Sequence, residues 1–154
     1  MTDTLATQIP TPSVGTDESP MVVVEHVTKR YGSGSSKVIA LDDVSFTVPR
    51  GQLVALVGRS GSGKTTLLNC IGGLDRPTHG TISVDGVTVT KLSERKRTAL
   101  RRDTVAFVFQ TFGLVPMLSA AENVGLPMRL RNTKTSMRDK RVAELLDLVG
   151  LSKH

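Results

Sequence analysis

Gly58-Arg59-Ser60-Gly61-Ser62-Gly63-Lys64-Thr65 matches the pattern G-x-x-x-x-G-K-[ST] without a gap. Glycines at these positions let the backbone turn tightly and approach a ligand without a Cβ in the way. The resulting run of N–H groups, together with the positive end of a following helix, favours a bound anion. Lys64 can reach the β- and γ-phosphates of a nucleotide, and the Thr65 hydroxyl can ligate Mg2+. The stretch therefore predicts a phosphate-binding loop.

The segments on either side of this loop suit the motif. Residues 53–57 form a short continuous apolar run, which is typical of a strand buried on both faces. Residues 65–71 predict a helix that Gly72-Gly73 ends. A strand before the loop and a helix after it are the context that supports the motif, whereas a flexible linker would not place Lys-Thr-Thr at a helix start. The residues predicted to bind the nucleotide here are Gly58, Arg59, Ser60, Gly61, Ser62, Gly63, Lys64, Thr65 and Thr66.

Several more strands are predicted from short apolar runs. Residues 81–84 and 87–89 alternate around Asp85-Gly86, a dipeptide that takes positive φ at little cost and favours a tight hairpin. Residues 105–109 are a second continuous apolar run, for which we expect another strand buried on both faces. Order is predicted to begin at 21–24, and further apolar segments lie at 38–41 and 44–48.

Three helices are predicted after the hairpin. The first covers residues 93–102. Ser119 followed three residues later by Glu122 is a capping box for a short second helix, which we expect Pro127 to end. The third begins near Ser136, and its apolar residues recur at i, i+3, i+4 and i+7. These residues are Val142, Leu145, Leu146 and Val149.

Composition limits the remaining possibilities. A chain of 154 residues has room for one domain or for part of a larger one. Its single cysteine, Cys70, excludes an internal disulfide and is predicted to be a buried, inert thiol. Residues 1–20 are rich in Thr, Pro and acidic side chains, and we predict that they are disordered. The chain has no apolar run long enough to span a bilayer and no secretion signal, so we expect a cytosolic protein.

Two clusters of basic side chains dominate the charge of the chain. Such clusters can bind nucleic acid or face anionic lipid headgroups, but a solvated helix face is the simpler interpretation. No stacking aromatic residues interleave them, which argues against binding of single-stranded nucleic acid. We therefore expect no nucleic-acid partner. The clusters are Lys91, Arg95, Lys96, Arg97, Arg101 and Arg102, and then Arg129, Arg131, Lys134, Arg138, Lys140 and Arg141.

Several stretches outside the loop belong to one sequence pattern: 27–32, 40–46, 73–80, 107–110, 112–116 and 121–124. Together with the phosphate loop they resemble the nucleotide-binding subunit of ABC transporters, most closely the subgroup serving lipoprotein release and macrolide-type export. The resemblance implies an α/β P-loop NTPase fold. It implies the N-terminal part of an ABC ATPase domain, with a β-rich subdomain, a partial core sheet and a partial helical subdomain. The corresponding divisions are a tail at 1–20, the nucleotide-binding core at 21–109, and the Q-loop with an incomplete helical subdomain at 110–154.

Two residue roles are implied by this resemblance. Tyr31, the only tyrosine, matches the aromatic residue that stacks on adenine. Gln110 matches the glutamine that touches Mg2+ and the attacking water, and an amide oxygen suits a hard cation. The implied catalytic residues are Lys64 and Gln110, and the implied metal ligands are Thr65 and Gln110. Arg59 stands where many relatives have proline, which should matter little because only its backbone N–H needs to face phosphate.

The resemblance also implies partners and a location. In this family two ATPase subunits sandwich two ATP molecules, and their closure drives a transmembrane permease. We therefore expect a second ATPase subunit and a permease as partners, ATP and Mg2+ as cofactors, and a cytoplasmic, peripheral position at the inner face of the cell membrane. The transported substrate cannot be read from this chain, because specificity in the family lies largely in the membrane partner.

The sequence departs from the family in its hydrolytic residues. It contains no Leu-Ser-Gly-Gly-Gln, no apolar run ending in Asp-Glu after the loop, and no switch histidine. Asp42 follows an apolar run but precedes the loop, so we expect an ordinary turn residue there. We expect a hydrolysis-deficient fragment, truncated before the signature motif and unstable alone, which leaves ATPase activity uncertain. The alternatives are a nucleotide-binding module without turnover and a different P-loop enzyme, against which the missing Asn-Lys-x-Asp guanine signature counts.

Overall fold

A computed structural model of the chain describes residues 6–8 and 19–151. The chain divides into two compact units, Met1–Ala106 and Phe107–His154. The strands are β1 (Ala6–Gln8), β2 (Val22–Tyr31), β3 (Val38–Val48), β4 (Val54–Leu56), β5 (His79–Val84) and β6 (Val87–Thr88). The α-helices are α1 (Lys64–Ile71), α2 (Glu94–Asp103), α3 (Ala120–Leu130) and α4 (Thr135–Leu148). Fold class is mixed α/β, as the sequence predicts.

The first unit is built on a four-stranded antiparallel sheet in the order β3-β2-β5-β6. β2 lies between two neighbours, so Val24 pairs with Phe46 on one side and with Ile82 on the other. The predicted hairpin between β5 and β6 is confirmed, because Asp85 and Gly86 have φ of 50° and 71°. The predicted short strands join into longer ones, since pairing on both sides of β2 extends the ladder over residues of mixed character.

Helix α1 packs its apolar side against this sheet. Leu67 and Cys70 are buried together with residues of the sheet and of the segments that follow it. Burial, reinforced by the negative charge of Asp75, raises the pKa of the Cys70 thiol to about 11, so the thiol stays protonated at neutral pH. The prediction of a buried, inert cysteine is confirmed. The rest of this core is Val24, Val27, Leu41, Ile82, Val84, Val89 and Leu100.

The first basic cluster is not simply a solvated helix face. Arg97 on α2 is only 7% exposed and pairs with the carboxylate of Glu94, one turn earlier in the helix. Arg101 donates a hydrogen bond to the carbonyl oxygen of Gly73 at 2.6 Å. Because Gly73 follows α1, this bond connects the two helices. Two members of the cluster therefore have structural partners, which corrects the prediction for them.

Strand β4, which leads into the phosphate loop, is shorter and more exposed than the sequence predicts. Only Val54–Leu56 is extended and paired, while Leu53 and Val57 are more than half exposed. Its partner among the described residues is β1, with Gln8 opposite Val54. A strand is buried on both faces only when other elements cover it. The described part of the first unit covers β4 incompletely, so the prediction of a fully buried strand is wrong.

The tail predicted to be disordered, 1–20, contains β1. For Ala6–Gln8 the prediction is wrong, because these residues pair antiparallel with β4. The edge of β4 offers N–H and C=O groups that gain hydrogen bonds from any extended segment within reach. Residues 1–5 and 9–18 of the predicted tail lie outside the described residues.

The second strand predicted before the Q-loop does not form. Residues 105–109 have no regular secondary structure, and the Val108 side chain is completely exposed. Phe107 and Phe109 instead stack on each other, with their ring centroids 5.5 Å apart. An apolar run becomes a strand only where another strand can take its backbone hydrogen bonds, and in the described ranges 6–8 and 19–151 none pairs with it.

The second unit contains α3 and α4. The predicted capping box is present: Glu122 N donates to Ser119 Oγ at 3.3 Å and Ser119 N donates to Glu122 Oε2 at 2.9 Å. Helix α3 continues through Pro127 to Leu130, so the prediction that Pro127 ends it is wrong. Proline keeps a helical φ and removes a single helical hydrogen bond, which a helix can tolerate at a structural cost.

The two helices of this unit approach closely at Gly125. A Cβ on this buried glycine would lie 3.4 Å from Val142 Cγ2, so the missing side chain permits the contact. Helix α4 starts one residue before the predicted Ser136 and ends at Leu148, with Gly150 at φ 74° beyond it. In the part of the chain that the structure describes, no helix combines the length and apolar character needed to cross a membrane.

Candidate nucleotide-binding site

The phosphate loop bends back on itself between β4 and α1. Ser62 N donates to Arg59 O at 3.2 Å, which closes a turn inside the loop. Gly61 and Gly63 have φ of 80° and 87°, in the left-handed region that side chains other than glycine rarely adopt. The first hydrogen bond of α1 runs from Leu67 N to Gly63 O at 2.8 Å. The loop is therefore compact and leads directly into the helix.

Two of its glycines have close neighbours. A Cβ on Gly63 would lie 2.3 Å from the carbonyl oxygen of Ala40 on β3, a distance that backbone cannot tolerate. A Cβ on Gly58 would lie 2.6 Å from Ser62 Oγ, on the opposite limb of the loop. The first contact is with backbone and fixes the loop against the sheet, whereas the Ser62 hydroxyl can rotate away from a Cβ on Gly58. Gly63 is therefore the position that requires the absence of a side chain.

The N-terminal end of α1 is open to a ligand. The N-cap residue is Gly63, so no side chain caps the helix. The first hydrogen bond within the helix is donated by Leu67 N, so the amides of Lys64, Thr65 and Thr66 have no acceptor in the helix. These donors and the positive end of the helix dipole together favour an anion.

The ammonium of Lys64 lies across the same loop. Lys64 Nζ donates to the carbonyl oxygens of Gly58 and Arg59, both at 2.8 Å, and to Ser62 Oγ at 3.3 Å. A cation held at these three atoms stands where the loop turns back, next to the amides of the helix end. The arrangement provides a positive charge and oriented N–H donors for the same anion.

A cavity of about 200 Å³ adjoins this loop. Its lining includes residues 61–64 of the loop and residues 39–42 of β3. The hydroxyl-bearing Thr65 is exposed at the first turn of α1, and the Arg59 side chain is also exposed. Both side chains are thus accessible from solvent, and the roles predicted for Thr65 and Arg59 stay predictions.

Tyr31 lies at the end of β2 within a small polar cluster. Its hydroxyl donates to Asp75 Oδ2 at 2.7 Å, and 43% of the residue remains exposed. Lys29 Nζ donates to Asp75 Oδ1 at 2.6 Å and stands 4.7 Å from the centroid of the Tyr31 ring. The Tyr31 hydroxyl also interacts with the side chain of Thr66, in the first turn of α1. The aromatic ring is therefore tied to the helix that follows the phosphate loop.

Electrostatics keeps this cluster in one charge state. Partial burial and the hydrogen bond to Asp75 raise the pKa of the Tyr31 phenol, so it stays a neutral donor. Partial burial acts to raise the pKa of the Asp75 carboxyl, but hydrogen bonds from Lys29 and Tyr31 and from the Arg76 amide outweigh it and hold that pKa below its usual value. Asp75 is consequently an anion that accepts from both neighbours.

The predicted site residues fall in different units. Tyr31 and residues 58–66 all lie in the first unit, where Tyr31 contacts Thr66. Gln110 lies in the second unit, exposed, in an irregular segment after Phe109.

Sequence reasoning gave no role to Lys29 or Asp75. Lys29 could have been found, because residues two apart on a strand lie on the same face, and Lys29 is two residues before Tyr31. Asp75 is 44 residues from Tyr31 and gave no local signal.

Comparisons with known proteins agree with this geometry. The family model described as ABC transporter matches residues 41–154. The chain is 44% identical over 136 residues to the lipoprotein-releasing system ATP-binding protein LolD of Bordetella pertussis, covering 88% of this chain and 59% of that protein. It is 45% identical to the macrolide export ATP-binding/permease protein MacB of Hyphomonas neptunium, covering 86% of this chain and 20% of that protein. The chain thus spans about three fifths of the length of LolD.

Among solved structures, the chain resembles the ATP-binding cassette MJ0796 in a dimeric, post-hydrolysis state bound to ADP and Pi. The TM-score is 0.76 and the identity 41%, over 82% of this chain and 56% of that one. The two proteins are therefore similar in sequence as well as in fold.

Proposed function

The chain belongs to the ABC transporter family of ATP-binding proteins, and we propose that it binds Mg-ATP as the ATP-binding part of an exporter-type ABC system. The observation that carries this proposal is the phosphate loop. It combines the ammonium of Lys64, an uncapped helix end and Gly63, whose backbone contact excludes a side chain. The exporter assignment is supported by the sequence likeness to LolD and MacB.

The phosphates of ATP are assigned to the loop itself. Amides of residues 58–66 would donate to phosphate oxygens, and Lys64 would exchange its carbonyl partners for the β- and γ-phosphates. The donors that Lys64 now gives to Gly58 and Arg59 are the ones it would give to phosphate. Charge-assisted bonds of this kind are stronger than bonds to neutral carbonyls, which favours the exchange.

The adenine is assigned to Tyr31, whose exposed ring offers a surface for stacking. Mg2+ is assigned to the Thr65 hydroxyl, whose oxygen atom suits a hard cation. For Gln110 the role of a ligand is implied by the family resemblance alone. The ion would neutralise charge on the β- and γ-phosphates. Gln110 would orient the attacking water and report the state of the nucleotide to a membrane partner.

The partners we propose are a transmembrane permease and a second ATPase subunit, with the chain at the inner face of the cell membrane. Support for the permease comes from LolD and MacB, whose names describe ATP-binding proteins of a releasing system and of an export permease. Support for the second subunit comes from the dimeric state of the cassette MJ0796.

The test is calorimetric titration of the full chain with ATP, with and without Mg2+, alongside an assay of phosphate release. We expect saturable ATP binding that Mg2+ strengthens. Binding without release would identify a nucleotide-binding module that does not turn over. Preference for GTP over ATP in competition, or no binding of either nucleotide, would contradict the proposal.

A further inference from the structure

The Tyr31 ring is held at both ends of its long axis. Its hydroxyl is anchored on Asp75, and its backbone is anchored in β2. A phenol ring fixed at both ends has little freedom to tilt. Both anchors lie on the long axis of the ring, so they fix where the ring stands, and the direction of its flat faces depends on what contacts those faces.

One face of this ring is covered by a cation. Lys29 Nζ stands 4.7 Å from the ring centroid, within the range of a cation–π contact. The ammonium cannot easily leave, because it also donates to Asp75 Oδ1 at 2.6 Å and to the carbonyl oxygen of Arg76 at 2.7 Å, and its side chain is 11% exposed. A planar base can therefore reach the ring only from the face opposite Lys29.

We infer that Asp75 and Lys29 are positioning residues that hold Tyr31 as a one-sided platform for the adenine of ATP. The inference rests on the proposed function, since it concerns how the base is placed once the phosphates are bound. The contact between the Tyr31 hydroxyl and Thr66 joins this platform to the phosphate-binding helix.

A purely structural role makes different predictions. If the cluster only connected β2 to the segment after α1, removing Asp75 would lower the stability of the chain and weaken every ligand of the loop equally. If Asp75 positions the ring, its removal weakens ATP and leaves a ligand without a base unaffected. Inorganic triphosphate is such a ligand, because it fills the phosphate loop but cannot stack.

The chain offers a direct optical signal for the platform. Tyr31 is the only tyrosine and there is no tryptophan, so its emission reports on this ring alone. The experiment titrates the full chain, Asp75→Ala and Tyr31→Phe with ATP and with inorganic triphosphate by calorimetry, and follows the tyrosine emission of the first two. Tyr31→Phe keeps the ring and removes the hydroxyl that Asp75 accepts from.

We expect Asp75→Ala to weaken ATP binding about tenfold, which is part of the value of one base–aromatic stack, and to change triphosphate binding by less than about twofold. ATP should quench the tyrosine emission of the wild type more than that of Asp75→Ala at equal saturation. Tyr31→Phe should lose less ATP affinity than Asp75→Ala, because it breaks only the bond from the hydroxyl, whereas Asp75→Ala also breaks the bond from Lys29 Nζ. The double variant should lose no more than Asp75→Ala alone.

The matched control is Asp85→Asn, which breaks an ion pair of equal length, 2.6 Å, between Asp85 and Arg50 at the β5–β6 turn. It should leave both affinities unchanged. If Asp75→Ala bound ATP with wild-type affinity, or lost affinity for ATP and for triphosphate equally, the inference would be overturned and the proposed function would stand. If the wild-type chain bound neither ligand, the proposed function would fail and the inference with it.

Discussion

Strand β2 and the segment 105–109 are both rich in valine and other apolar residues, yet they differ in burial and in strand pairing. Val24 and Val27 in β2 are completely buried, whereas Val108 is completely exposed. β2 has a paired strand on each side, and among the described residues 105–109 has none. Apolar composition therefore indicates that a segment can be a strand, and a neighbour with free backbone groups determines whether it becomes one.

β4 lies between these extremes. It is paired only with the short β1 among the described residues, and its flanking residues Leu53 and Val57 stay exposed. Even so, the phosphate loop that follows it is compact. The loop is held by contacts of its own and by Gly63 against Ala40 of β3, so its conformation depends little on how well β4 is covered. The conformation of the phosphate loop therefore depends on residues close to it in sequence more than the pairing of β4 does.

The largest expected effect is a difference in unfolding free energy between a substitution in the sheet that contains β2 and one in the unpaired segment 105–109. Ile82→Ala removes a fully buried side chain of β5 and should cost about 2–5 kcal/mol of unfolding free energy, because a cavity remains. Val108→Ala should change it by less than about 0.5 kcal/mol, since its side chain is in solvent. Urea unfolding of both variants measures the difference. Equal destabilisation would show that 105–109 is buried in solution.

The next prediction tests the locality of the phosphate site. Lys64→Ala should weaken ATP binding about 100-fold, or about 2.7 kcal/mol, because the charge that faces the loop is lost. Lys91→Ala removes an exposed lysine outside the loop and should have no measurable effect on affinity. Titration calorimetry of both variants gives the comparison. Unchanged affinity in Lys64→Ala would remove the assignment of the phosphate site.

These contrasts separate the features that the sequence predicts from those that it does not. The loop, the β5–β6 hairpin and the capping box of α3 were predictable, because each depends on residues close together in the chain. The pairing of β4 with β1 and the exposure of Val108 were not, because they depend on which distant segments are present to pair. Asp75 was missed for the same reason: its partner Tyr31 is far away in sequence.

A smaller effect tests whether Gly63 is needed for its φ or for its contact. Gly63→Ala places a Cβ 2.3 Å from Ala40 O at φ 87° and should cost about 1–3 kcal/mol of stability. Gly51→Ala has a similar φ of 74° but meets no atom within 4 Å. It should therefore cost less, about 1 kcal/mol, because only the backbone strain remains. Thermal unfolding of the pair measures the contribution of the contact, and equal losses would show that the loop does not press against β3 in solution.

The smallest effect concerns the second unit, where few side chains are buried and local hydrogen bonds count for more. Ser119→Ala removes the hydroxyl that accepts from Glu122 N, whereas the bond from the backbone N–H of residue 119 to Glu122 Oε2 can persist. The loss should cost about 1 kcal/mol. Ser93 occupies the same position at the start of α2 but makes no capping bond from its side chain, so Ser93→Ala is the matched control and should cost less. Amide hydrogen exchange in the first turns of α3 and α2 resolves the two effects separately. Faster exchange in α3 alone is the expected result, because the box satisfies N–H groups that would otherwise exchange freely. If both helices responded equally, the capping box would contribute no more than an ordinary serine at a helix start.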